Sequence, residues 1–243
     1  MQESKKKILS TRPVKETLIQ EATEQNIQLD IIPLIDTEPV QDIDTQQEVE
    51  QIALQYATVV FTSMNAVESV ITMLDQQVPE WNIYCMGNTT QELIRNYFGE
   101  ESISGTGNNA SELAATILSD NDELDEVFFF CGDQRRDELP AKLREEDISV
   151  EEIIVYKTIP LHQKIGTTYD GIVFFSPSAV ESFFNNNKTT TSTVFFAIGS
   201  TTEAAIKKYT NNSIITAHSP GKEELVRKAI HYFVNGQLSI VNS

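Results

Sequence analysis

Four short clusters carry the side chains best suited to chemistry: Ser63-Met64-Asn65, Gly87-Asn88-Thr89-Thr90, Ser176-Pro177-Ser178 and Gly199-Ser200-Thr201-Thr202. Each follows an apolar run and precedes a helical pattern, so each brings hydroxyls and main-chain amides to a helix start. Free amide donors and the positive end of the helix dipole favour anions there. Asn65-Ala66-Val67-Glu68, Thr89-Thr90-Gln91-Glu92, Ser178-Ala179-Val180-Glu181, Ser200-Thr201-Thr202-Glu203 and Asn109-Ala110-Ser111-Glu112 all pair a cap residue with a glutamate three positions on. In such a capping box each end satisfies an exposed amide of the other. A box starts a helix whether or not anything binds, so a purely structural role stays open.

Other chemistries find less support. His162, His218 and His231 show no metal-ligand spacing with one another or with Cys85 and Cys131, so no metal is expected. The two cysteines end apolar runs and read as buried, reduced thiols, although sequence leaves a disulfide open. Gly105-Thr106-Gly107 lacks the third glycine of a dinucleotide fingerprint, and Gly221-Lys222-Glu223 lacks the Ser or Thr of a phosphate loop. There is no Gly-x-Ser-x-Gly elbow. Asp133, Arg135, Arg136 and Asp137 read as a solvated helix start.

The clusters are held by a repeat. Val60–Ser69 matches Val173–Ser182 at an offset of 113 positions, and Gly87-Asn88-Thr89-Thr90 matches Gly199-Ser200-Thr201-Thr202 at 112. Ile8–Pro39 resembles Phe129–Pro160 more faintly, at 121. The order is A (7–39), B (56–118), A′ (128–160), B′ (170–233). Within the blocks, continuous apolar runs predict strands covered on both faces: Lys7–Ser10, Asp30–Ile35, Val59–Thr62, Ile83–Met86, Val127–Cys131, Ile153–Tyr156, Ile172–Phe175, Val194–Ile198 and Ser213–Ile215. Helical patterns lie between them. Alternation of this kind predicts an α/β protein of two small, doubly wound, flavodoxin-like parallel-sheet domains related by the repeat. Ligands of such sheets bind beyond the carboxyl ends of the strands, where the polar clusters fall.

Composition sets the outer limits. The chain has 243 residues and a net charge of −18, with 40% hydrophobic residues. So acidic a protein is not expected to bind nucleic acid or an anionic membrane, its only basic run being Lys5-Lys6-Lys7. No apolar run is long enough for a transmembrane helix or a secretory signal, and a cytoplasmic protein is expected.

The ordered set Ile8-Leu9-Ser10-Thr11-Arg12-Pro13, Phe61–Val67, Met86–Thr90, Val155-Tyr156-Lys157-Thr158, Phe174–Val180 and Ile198–Thr202 resembles the uroporphyrinogen-III synthase family over nearly the whole chain. The resemblance implies two α/β domains joined by a two-segment linker, near Asp36–Thr45 and Lys157–Thr168. One domain would comprise residues 1–36 and 163–243, the other residues 40–158. Sequence alone equally allows a tandem split at the acidic Ser119–Glu126. The implied reaction closes linear hydroxymethylbilane, which carries eight carboxylates, into uroporphyrinogen III with inversion of the last pyrrole and loss of water. It uses no cofactor, and the implied partner is a small molecule bound by a monomer. The family pattern places a tyrosine at Tyr156, where a phenol would assist departure of water; alternatively Tyr156 only packs at a strand end. It places carboxylate contacts at Ser63, Asn65, Gly87, Thr89, Thr90, Ser176, Ser178, Gly199, Ser200, Thr201 and Thr202. Arg12 would pair with a carboxylate or cap a surface helix. Arg144-Glu145-Glu146-Asp147 departs from the glycine that often ends the corresponding helix. The competing readings are a non-catalytic two-domain binder of a small anion and, more weakly, a receiver-like module centred on Asp133.

Overall fold

The computed structural model describes residues 5–120, 124–217 and 221–235, and its strands fall on the apolar runs. The first part of the chain runs β1 (Lys6–Ser10), α1 (Glu16–Glu24), β2 (Ile27–Ile31), β3 (Ile35–Pro39), α2 (Ile43–Ala53), β4 (Ala57–Phe61), α3 (Met64–Met73), β5 (Trp81–Met86), α4 (Thr89–Phe98), β6 (Ile103–Gly107) and α5 (Ala110–Asp120). Then follow β7 (Glu126–Gly132), α6 (Glu138–Glu145), β8 (Ser149–Pro160), β9 (Gly171–Phe174), α7 (Pro177–Asn186), β10 (Val194–Ala197), α8 (Ser200–Lys207), β11 (Ile214–Thr216) and α9 (Lys222–Asn235). The chain divides into two units, one of residues up to Asp36 with those from Ile159 onward, the other of Thr37–Thr158.

In the first unit the strand order is β11-β10-β9-β1-β2, with all neighbours parallel. Leu9, Ile172, Phe174 and Phe195 pack against Val180 and Phe183 of α7 and Ala205 and Ile206 of α8. Ile8, Val173 and Phe196 pack with Leu18 and Ala22 of α1 and Leu225 and Ile230 of α9. Adjacent residues such as Ile8 and Leu9 are therefore buried on opposite faces, which is why the runs do not alternate.

The second unit has the order β3-β8-β7-β4-β5-β6, and β4 pairs parallel with β5 and β7, β5 with β6, and β7 with β8. Helices α2, α3 and α4 cover Val59, Phe61, Ile83 and Phe130, whereas α5 and α6 cover Val60, Tyr84, Phe129 and Cys131. The first of these cores stacks Phe61 on Phe130 at 5.3 Å and sets Trp81 5.5 Å from Phe130. No described helix is long and apolar enough to cross a membrane.

The structure departs from the sequence reading in two strands. The single run expected at Asp30–Ile35 is instead the end of β2, a break, and the start of β3. The break contains Pro33, which has no amide to donate to a ladder, while Leu34 is fully buried and keeps the break apolar. Strand β6 is additional. Its glycines make room for α5: a Cβ at Gly105 would come within 2.7 Å of the Thr116 methyl, and one at Gly107 within 2.7 Å of the Leu113 Cα. Composition hides such a strand, because the sheet there needs missing side chains rather than apolar ones.

The end of α6 explains its missing glycine. The Ile148 amide donates to the Leu143 carbonyl at 3.1 Å and the Asp147 amide to that of Arg144 at 3.2 Å, the paired bonds of a Schellman ending. Asp147 fills the left-handed position, at φ 60°. Asp147→Gly is therefore expected to raise stability by about 0.5–1 kcal/mol, read as a higher urea midpoint with an unchanged slope. An unchanged or lower midpoint would show that Asp147 makes compensating interactions.

Candidate active site

Parallel strands place their following loops at one edge of each sheet. In the first unit this edge receives Arg12 after β1, Ser176 after β9 and Gly199 after β10; in the second it receives Ser63 after β4, Gly87 after β5 and Gly132 at the end of β7. Helix α1 packs on the opposite face of its sheet from α7, so the strand order reverses direction between β1 and β9. Likewise α6 and α3 lie on opposite faces, which puts the second reversal between β7 and β4. Such reversals open the crevice in which open α/β sheets hold ligands. Arg12 and Ser176 flank one, Ser63 and Gly132 the other.

Capping divides the helix starts into two kinds. Ser63 and Ser176, both extended, cap α3 and α7: Ser63 Oγ accepts from the Asn65 amide at 3.2 Å and Ser176 Oγ from the Ala179 amide at 3.3 Å. The boxes expected at Asn65 and Ser178 are therefore shifted, since the first hydroxyl after the strand takes the amide and the second residue already lies within the helix. Ser178 Oγ instead lies 3.2 Å from Ser176 Oγ. The caps expected at Thr89 and Ser200 are corrected as well. Helix α4 starts after Asn88, at φ 65°, and α8 after Gly199, and neither has a side-chain cap. Glycine supplies no oxygen, and Asn88 has a positive φ instead of the extended backbone that a capping residue adopts. At Asn109 half of the expected box forms: Asn109 Oδ1 accepts from the Glu112 amide at 2.9 Å, but Glu112 Oε2 reaches back one residue further, accepting from the Asn108 amide at 3.1 Å.

The uncapped starts are the chemically open ones. First-turn amides of α4 and α8 are left for solvent or a ligand. Thr89, Ser200 and Thr201 are exposed, Gly87 and Gly199 are partly exposed, and Thr90 is buried. The Thr202 hydroxyl is sealed from solvent without a hydrogen-bond partner among the described residues. Buried hydroxyls are ordinarily satisfied by protein or by an ordered water.

Arg12 caps no helix among the described residues. Ser10 Oγ donates to the Arg12 carbonyl at 2.7 Å, and the buried Thr11 hydroxyl donates to the Val173 carbonyl at 2.8 Å, which fixes the loop. Desolvation by the protein around it and the Arg12 charge hold the Lys222 ammonium below its ordinary range, although the residue as a whole is exposed. Lys222 had no place in a phosphate-loop template, and only the fold brings it near Arg12.

Tyr156 lies on β8 opposite Gly132 of β7 and is partly buried against the core of Phe61 and Phe130. The Asp133 amide donates to the Tyr156 carbonyl at 3.2 Å, and the Thr158 amide to Asp133 Oδ1 at 2.9 Å. Asp133 thus latches β8 to β7. Arg135, beside it, pairs with Glu152 and with Asp137, at 3.4 Å to the latter. The thiols of Cys85 and Cys131 are buried and free, and burial pushes each up to about 11, which disfavours thiolate chemistry. Among the described residues no three His, Cys, Asp or Glu side chains are grouped as metal ligands; His218 lies outside them.

The family model for uroporphyrinogen-III synthase HemD matches residues 16–227. The chain belongs to the uroporphyrinogen-III synthase family. Among solved structures, the uroporphyrinogen-III synthetase of Helicobacter pylori has the same fold at 16% identity and a TM-score of 0.63, over 93% of this chain and 98% of that one. A mutant uroporphyrinogen III synthase from the extremely thermophilic bacterium Thermus thermophilus matches at 12% identity and a TM-score of 0.59, over 95% of this chain and 100% of that one. The family match takes in Tyr156 and every helix start described above, whereas Arg12 lies before it and stands on its position at the end of β1 alone.

Proposed function

We propose that this family member cyclises hydroxymethylbilane to uroporphyrinogen III, with Tyr156 assisting the loss of water and the strand-end helix starts holding substrate carboxylates. The observation that carries the assignment of roles is the contrast between capped and uncapped helices. Helices α4 and α8 present bare amides with Thr89, Thr90, Ser200 and Thr201, and Arg12 adds a cation. These local donors act at contact distance, so a net charge of −18 does not prevent binding of a polycarboxylate. Ser63, Asn65, Ser176 and Ser178 shape the two remaining starts, the serines at 63 and 176 through their caps.

In the proposed step the phenol of Tyr156 donates to the hydroxymethyl oxygen as its carbon–oxygen bond breaks, and water leaves. The closing pyrrole later gives up one proton, which restores the phenol, so the net change is loss of one water. Positioning decides which isomer forms, because the unassisted bilane closes to the uninverted ring. Donors arranged for the spiro-like transition state lower that path alone.

The finer organisation belongs to the same reading. Residues 1–36 with 163–243 form one domain and 40–158 the other, related by the internal repeat and joined by two short segments. In support, β2-β1-β9-β10-β11 and β8-β7-β4-β5-β6 are the same order when block A is matched to A′ and B to B′. The protein works as a cytoplasmic monomer without metal or cofactor. Incubation with hydroxymethylbilane, oxidation and separation of the uroporphyrin isomers tests the proposal. The expected product is isomer III, at a rate unchanged by exhaustive chelation. Isomer I at the spontaneous rate, with the bilane still bound, would leave a binder rather than an enzyme.

A further inference from the structure

Strand β8 is irregular at the point where it delivers Tyr156. Its register on β7 runs regularly from Glu126 opposite Ser149 to Cys131 opposite Ile154, then shifts so that Gly132 lies opposite Tyr156 and Val155 has no partner on β7. The Val155 carbonyl turns to the other side and accepts from the Val40 amide at 2.9 Å. Strict alternation along a strand would put Tyr156 on the face opposite Val155. The extra residue cancels that step, and Ile153, Val155 and Tyr156 all pack on one core. Bulges are common beside active sites because they re-aim a side chain in this way.

A second feature receives the re-aimed ring. Gly132 is the last residue of β7 and is buried. A Cβ built on it would stand 2.8 Å from the Tyr156 phenolic oxygen and closer still to the ring carbons. Its φ is not in the left-handed region, as Gly99 is the glycine with positive φ. The backbone at 132 therefore accepts any residue, and what excludes a side chain is the tyrosine itself. The atoms in the way are the far end of a movable side chain, so an added methyl displaces the phenol rather than the fold.

Resting on the role given above to Tyr156, we infer that Gly132 is a positioning residue for the reaction: with the bulge at Val155, its bare Cα forms the seat that sets where the Tyr156 hydroxyl stands. The functional requirement at 132 is absence of a side chain, and it acts wholly through the phenol. A displacement of about 1 Å is enough to cost a reaction that depends on alignment up to about 10²-fold.

The test is a cycle of Gly132→Ala, Tyr156→Phe and the double variant, each followed by isomer-resolved kinetics and urea unfolding. Gly132→Ala is expected to lower kcat about tenfold or more, with KM within about twofold of native and a nearly native urea midpoint. In the Tyr156→Phe background the same alanine is expected to change kcat less than about twofold, since no hydroxyl remains to misplace. An equal loss in both backgrounds overturns the inference, because the glycine would then act by another route. So does near-native kcat in Gly132→Ala while Tyr156→Phe is slow. Near-native kcat in Tyr156→Phe itself removes the role of Tyr156, a separate failure. If Gly132→Ala does not fold, Gly132→Ala/Tyr156→Ala decides: recovery of folding supports the seat, because the vacated ring leaves room for the methyl, and continued unfolding overturns it.

Discussion

Tyr156→Phe is expected to lower turnover of hydroxymethylbilane roughly 10²-fold, with the fold and substrate affinity nearly intact. The substitution removes one oxygen. The ring keeps its packing beside Phe61, Phe130 and Val155, and the phenol has no hydrogen-bond partner among the described residues that its loss would strand. A positioned acid contributes about 10²–10⁴-fold. The low end applies here because the bilane loses its hydroxyl spontaneously, so in the proposed role the phenol would assist a departure that is already easy. The proposed carboxylate donors at the helix starts are untouched by the substitution, so the residual enzymatic product should stay isomer III. Isomer I rises only as the uncatalysed background overtakes the slowed enzyme. Turnover within about threefold of native in a folded variant would leave positioning as the whole of catalysis, a result already within reach of well-aligned intramolecular reactions.

What could be read before the fold was known follows from how local each feature is. Strands β4, β7, β9 and β10 were legible because burial on both faces turns Val59-Val60-Phe61 or Val127–Cys131 into unbroken apolar runs. Strand β6 was not, since Gly105 and Gly107 answer to a helix packed across them. The polar clusters were legible because hydroxyls ahead of a glutamate are a local pattern. Which hydroxyl caps was not, because that depends on where the strand releases the chain: Ser63 and Ser176 sit two residues before the boxes expected at Asn65 and Ser178. Lys222 and Gly132 lay beyond local reading altogether. One acquires its meaning from Arg12, far away in sequence, and the other from a register shift on a neighbouring strand.

The difference between capped and uncapped helix starts makes Thr201→Val the sharpest test of carboxylate binding. Thr201 is exposed in the first turn of α8, whose preceding residue is Gly199, and its hydroxyl is engaged by nothing among the described residues. Valine matches threonine in shape and keeps the β-branch, so the helix itself should be little disturbed. No cap is lost, because Thr201 caps nothing. A hydrogen bond to a charged group is worth about 1.5–3 kcal/mol. The substrate offers eight carboxylates, and solvent competes at an exposed site, so an expected loss of about 1–2 kcal/mol is reasonable, or roughly 5–30-fold in KM. Turnover at saturating bilane should change less than about threefold, since the proposed contact would be made equally in the ground state and the transition state. Ser63→Ala gives the contrast: there the hydroxyl serves the Asn65 amide, and its loss should appear as about 1 kcal/mol of stability rather than in KM. A Thr201→Val variant with native KM would move carboxylate binding away from the hydroxyls and onto the bare amides of α4 and α8, which of all substitutions only one to proline removes.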